Sequence, residues 1–135
     1  MPPTLTMNGL YLRVDGPILE MRPDSDRSEQ SSSDGGRLLS LFCTDEIRGI
    51  LFDRRQADYA LTQTQLHIRA LSIARRCKGK SVAYVARMEQ GEQAIIAIQS
   101  HTDMGSACRL FRSRSKARDW LVETIAPLAD TQPGR

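Results

Sequence analysis

The strongest constraint in this chain is the regular exchange of short apolar runs with longer amphipathic segments from residue 36 onward. Gly49-Ile50-Leu51-Phe52-Asp53 is a brief apolar run opened by glycine, the pattern of a buried central strand. Ser81 to Ala86 repeats it, and Ala107 to Arg112 supplies a third such run. The segments between them have helical period, with Leu66, Ala70, Ile73, Ala74 and Cys77 on one face of the first, and Ala94, Ile95 and Ile98 on the second, which spans Glu92 to about Thr102. Strands separated by helices of this length require crossover connections, so the sheet should be mostly parallel with helices packed against it.

Either side of this repeat the pattern changes. Leu10, Leu12 and Val14 alternate with Tyr11, Arg13 and Asp15, Asp15-Gly16-Pro17 is turn chemistry, and Ile18 to Met21 is extended again. That predicts an N-terminal hairpin and hence an antiparallel portion of the sheet. Residues 23–36 are rich in Ser, Asp, Glu and Gly and are read as a mobile polar loop. A helix over Gly36–Ile47 follows, using Leu38, Leu39, Phe42 and Cys43, with Ser33 or Asp34 as cap. A closing helix opened by Ser113 uses Ala117, Trp120, Leu121, Ile125 and Leu128, and residues 129–135 are read as a disordered tail. Trp120 should be a structural anchor against Leu110 and Phe111. The expected architecture is one α/β domain over residues 1–135, with a single mixed sheet of four or five strands and about four helices.

Composition narrows the class. A 40% hydrophobic and 26% charged chain of 135 residues is ordinary for a globular domain. No run reaches the ~18 consecutive apolar residues of a membrane span, and the first residues lack a basic n-region and an apolar h-region. Cys43, Cys77 and Cys108 form no CxxC pair and sit in apolar segments, so a reducing, cytoplasmic setting is the simplest expectation. Residues 1–67 hold seven Lys/Arg against ten Asp/Glu, and residues 68–135 hold twelve against six. We read this skew as a solvated surface, since the cations are spread over several elements.

The residues that could carry chemistry are few. Asp53, followed by Arg54 and Arg55, ends the central strand, where open α/β sheets place ligand crevices. Thr62 with Gln65 three residues on forms a capping-box pattern at the start of the next helix, with Thr64 beside it. A helix N-terminus can also hold an anion, but a plain cap is the simpler role for Thr62. His67 and His101 lack neighbours at metal-ligand spacing and are expected on solvated helix faces, so no metal and no cofactor is expected. Adjacent Asp45 and Glu46 point in different directions on a helix. The basic run Arg109, Arg112, Arg114, Lys116 and Arg118 lacks the exposed aromatics of a nucleic-acid surface. No nucleophile–His–Asp order, Walker loop, GxGxxG or HExxH occurs.

Two stretches carry a family likeness: Arg48-Gly49-Ile50-Leu51-Phe52-Asp53 with the helix opening at Leu61-Thr62-Gln63-Thr64, and Ser81 to Ala86 with Cys108-Arg109-Leu110-Phe111-Arg112-Ser113 and Ala117-Arg118-Asp119-Trp120-Leu121. In this order the chain resembles the STAS-like domains, the fold of bacterial anti-sigma-factor antagonists, over roughly residues 8–128. In antagonists the resemblance implies a phosphoserine in an Asp-Ser-type motif at the helix start; here that stretch is Ala60-Leu61-Thr62-Gln63-Thr64, and Thr62 and Thr64 are its hydroxyls.

The expectation is therefore a non-enzymatic STAS-like regulatory or protein-interaction module whose partner is another protein, with no membrane or nucleic-acid role. Its candidate surface comprises Asp53, Arg54, Arg55, Thr62 and Thr64. The alternative is a small-ligand-binding protein or enzyme using a crevice at the strand ends near Asp53.

Overall fold

The computed structural model describes residues 4–7, 9–24, 26–27 and 29–130. The strands are β1 (Thr4–Met7), β2 (Leu10–Asp15), β3 (Ile18–Pro23), β4 (Gly49–Asp53), β5 (Ser81–Val85) and β6 (Cys108–Phe111). The helices are α1 (Glu29–Phe42), α2 (Gln63–Arg76), α3 (Gly91–Asp103) and α4 (Arg114–Asp130), with a short 3₁₀ turn over Met88–Gln90 before α3. Among the described residues these strands form one sheet in the order β1-β2-β3-β4-β5-β6. The first three are antiparallel, with Leu12 opposite Met21, and β3 to β6 run parallel, with Ile50 opposite Val82.

Each parallel crossover steps one strand in the same direction. Crossovers of one hand then place their helices on the same face of the sheet. Accordingly α1, α2 and α3 cover one face, where Leu12, Leu19, Met21, Ile50, Phe52 and Tyr84 meet Leu39, Cys77 and Ala97. The other face is left for α4, which packs Ala117, Leu121 and Ile125 on Ile18, Leu51, Ala83 and Val85. Gly49 permits this approach. A Cβ there would sit 2.6 Å from Cδ1 of Ile125 and 3.2 Å from Cδ2 of Leu121.

The mixed sheet, the N-terminal hairpin and four helices agree with the sequence-based expectation, and the structure corrects the rest. The sheet has six strands because Thr4–Met7 adds to the edge of β2. This segment is short and largely exposed, so its order comes from β2 and leaves no buried period in the sequence. Helix α1 starts at Glu29 and ends at Phe42, so most of residues 23–36 is helical and Ser33 and Asp34 lie inside the helix. Glycine is a poor helix former, yet Gly35 lets α1 approach closely. A Cβ at Gly35 would meet a guanidinium nitrogen of Arg27 at 3.1 Å, and one at Gly36 would meet Arg76 at 3.7 Å. Helix α4 runs past Pro127 to Asp130, and residues 131–135 of the expected tail lie outside the described residues. Trp120 is half-buried, its ring 5.8 Å from that of Phe111.

Candidate functional site

Successive residues of a strand point to opposite faces of the sheet, and this divides the expected site. Asp53 follows Leu51 onto the α4 face, where it is 1% exposed. Its carboxylate accepts hydrogen bonds from the Arg55 backbone N–H at 3.2 Å and from that guanidinium at 2.9 and 2.8 Å. Beside it Glu20, 3% exposed, is held in the same bidentate manner by Arg114, whose Nε lies at 2.6 Å. Two buried carboxylates with two guanidiniums are internally satisfied. The strand ends on this face are thus closed by charge pairing.

Arg54 turns to the other face and meets a cavity. Its guanidinium carbon lies 4.6 Å from the ring centre of Tyr84 and 5.1 Å from that of Tyr59, within cation–π range of both. Among the described residues it has no carboxylate or side-chain hydrogen-bond partner, in contrast to Arg55 and Arg114.

The loop that carries it is tied down from several directions. The Arg54 N–H donates to the Val85 carbonyl at 2.8 Å. Buried Gln90 donates to the carbonyls of Arg54 and Ala57 at 2.8 and 2.7 Å. Arg27 and Tyr59 form a parallel bridge, with the Arg27 N–H on the Asp58 carbonyl at 2.8 Å and the Ala60 N–H on the Arg27 carbonyl at 2.9 Å.

The cavity lies between α1, α2 and the sheet and has a volume of about 80 Å³. Its floor is Leu10, Met21, Leu39 and Phe52, and its far wall includes Leu66, Ala70 and Ile73. Around this apolar interior stand Arg27, Arg54, Arg69 and Arg76, and among the described residues no carboxylate lines it. Arg76 hydrogen-bonds to Ser40 and Ser72, which are neutral groups. The interior is therefore apolar with the Arg54 cation at its edge, a setting that favours an anion bearing an apolar body.

Behind Arg54 the Tyr84 hydroxyl is hydrogen-bonded to Nε2 of His101 at 2.8 Å. His101 is fully buried, not on a solvated face as its sequence context suggested. The physical reason is that α3 lies against the sheet and Tyr84, on a central strand, offers a partner inside the core. His67 is exposed, as expected. Burial, assisted by the positive charge of Arg54, holds the His101 pKa down to about 4, and burial pushes the Tyr84 phenol up. Both are uncharged near neutrality, which suits a packed hydrogen bond better than proton transfer. Among the described residues, Nδ1 of His101 is buried without a hydrogen-bond partner.

Thr62 and Thr64 are both exposed, and Leu61 and Leu66 on either side line the cavity in their place. Thr62 forms the expected reciprocal cap: its hydroxyl accepts the Gln65 N–H at 3.1 Å while the Gln65 side chain accepts the Thr62 N–H at 2.9 Å. The basic run toward the C-terminus is partly consumed inside the molecule. Arg114 pairs with Glu20, Arg118 with Asp15, and Arg112 donates to the Ala86 carbonyl. Sequence reasoning reached Arg54 but missed Tyr59, Arg27 and Arg76. A signal for Arg27 was Gly35, which leaves space for its guanidinium; Arg76 left none that we identify.

No family model matches the chain, and no curated protein matches it. Among solved structures it is similar to an uncharacterised protein of the DUF3478 family from Shewanella loihica PV-4, described as having a SpoIIAA-like fold. The likeness covers 90% of this chain and 92% of that one, with a TM-score of 0.57 and 16% sequence identity. At that identity the comparison speaks to fold alone. Together with the strand order, the four helices and the cap on α2, it establishes that this chain has the SpoIIAA-like, STAS-like fold.

Proposed function

We propose that this chain is a non-enzymatic regulatory module of the STAS-like kind, and that it responds to a small anionic ligand taken into the cavity beside Arg54. The observation that carries this reading is the Arg54 guanidinium itself. Among the described residues it is a cation without a carboxylate, set over two aromatic rings at the edge of an apolar cavity. A folded chain gains little by desolvating an unpaired charge, whereas a binding site gains a preorganised donor. A non-catalytic role is supported by the burial of Tyr84 and His101, the titratable pair behind Arg54, which are both fully enclosed and out of reach of a substrate.

The test is a thermal-unfolding screen of the intact chain against inorganic phosphate, nucleotides and small organic acids. Binding to the native state raises the midpoint in proportion to saturation. A reproducible rise of several degrees that disappears in Arg54→Gln is expected. A rise that survives Arg54→Gln but disappears in Asp53→Ala would instead favour the α4 face of the strand ends.

A second reading, docking of a partner protein, is favoured by one observation: Leu41 on α1 and Ile68 on α2 are exposed by 69% and 61%. Co-purification of a partner that Ile68→Glu abolishes, with thermal unfolding unchanged, would support it.

A further inference from the structure

The cavity specifies more than the sign of its ligand. Tyr59 and Tyr84 lie against the Arg54 guanidinium at 5.1 and 4.6 Å, within cation–π range, and neither ring accepts its N–H groups in a conventional hydrogen bond. Those N–H groups are what Arg54 offers a ligand, and a guanidinium edge presents two of them in parallel. That fork matches the two oxygens of one carboxylate. A monocarboxylate also carries the single negative charge that one guanidinium balances, and its aliphatic tail suits the apolar interior.

The interior sets the size. A volume of about 80 Å³ is well above what a single water requires but roughly half that of the ~150 Å³ apolar cavity known to take up benzene. Ala70 and Ala97 leave this space open, and Leu39, Phe52 and Ile73 line it. We infer that the ligand is a short aliphatic monocarboxylate of about three to five carbons, with its carboxylate on the edge of Arg54 and its tail against Phe52 and Ala70. This inference rests on the ligand-binding role proposed above and adds the chemical class.

Calorimetric titration of the intact chain with butyrate, pentanoate, octanoate, 1-butanol and butyl phosphate tests it. Butyrate or pentanoate should bind most tightly, and 1-butanol weakly, since it lacks the charge. Arg54→Gln should weaken butyrate about ten- to a hundredfold, the usual consequence of removing a charge-assisted pair. Because that change also disturbs the stacked rings, Ala70→Leu provides a second test. It leaves the guanidinium intact, fills the tail site, and should weaken butyrate while the protein still unfolds cooperatively. Arg54-dependent binding that favours butyl phosphate or octanoate over butyrate would overturn the short-carboxylate assignment and leave the ligand-binding role standing. If no anion in this series or the earlier screen binds in an Arg54-dependent way, both readings fall together.

Discussion

At the scale of single residues, two neighbours at the end of β4 have opposite fates. Asp53 is buried against Arg55, and Arg54, one residue on, faces a cavity with no carboxylate partner among the described residues. His101 yields a prediction of its own. Its folded pKa, about 4, lies below the ~6.5 of an unfolded histidine. Between those values the unfolded chain takes up a proton that the folded chain refuses. Stability is therefore full above about pH 6.5 and falls as pH drops toward 4, by up to about 3 kcal/mol. Denaturant unfolding at a series of pH values should show this loss, and His101→Gln should reduce it over the same window. An identical pH profile in the variant would remove His101 as its source.

At the scale of elements, α2 was legible because its start and its buried stripe are both written locally. The reciprocal Thr62–Gln65 cap fixes the first turn, and Thr62→Ala should cost about 1 kcal/mol, measurable by urea unfolding. Thr62→Ser should retain most of that contribution if the hydroxyl acts as a cap. Helix α1 was not legible over its first turns. Its hydrogen bonds are as local as those of α2, but Ser- and Gly-rich composition is a weak basis for a helix alone. The close approach of Arg27 makes the missing side chain of Gly35 useful there. In α4 the apolar face was read correctly at Ala117, Leu121 and Ile125, while the Leu128 side chain lies outside the described residues. Trp120 lies partly outside the core because it reaches from the helix over β4 and β5 toward Phe111 on the edge strand β6.

Across the whole molecule, the last helix is tied to the N-terminal hairpin by paired charges. Arg114 holds Glu20 from 94 residues away, and Arg118 holds Asp15 from 103. Glu20 is almost wholly buried whereas Arg114 keeps about a third of its side chain exposed. Arg114→Ala should therefore leave a buried carboxylate without its cation and cost about 2–4 kcal/mol, somewhat relieved by water at the open side. The loss should shrink in the double variant with Glu20→Gln, and a double-mutant cycle by denaturant unfolding measures that coupling. Additive losses would show that the pair holds nothing together.

The local pattern was enough to determine the crossover units, the hairpin and the α2 cap, because each depends on periodicity or turn chemistry within a few residues, and the STAS-like order was read from the resemblance of two stretches. It also placed attention on the end of β4. It could not distribute Asp53 and Arg54 between two faces, since that depends on the register of β4 against β3 and β5. Nor could it show that Gly35 and Gly36 lie beside Arg27 and Arg76, or that His101 meets Tyr84. The basic run looked like a surface until its cations met carboxylates near the start of the chain. Each of these outcomes joins segments distant in sequence, and only packing a sheet between helices on both sides brings such segments within reach of one another.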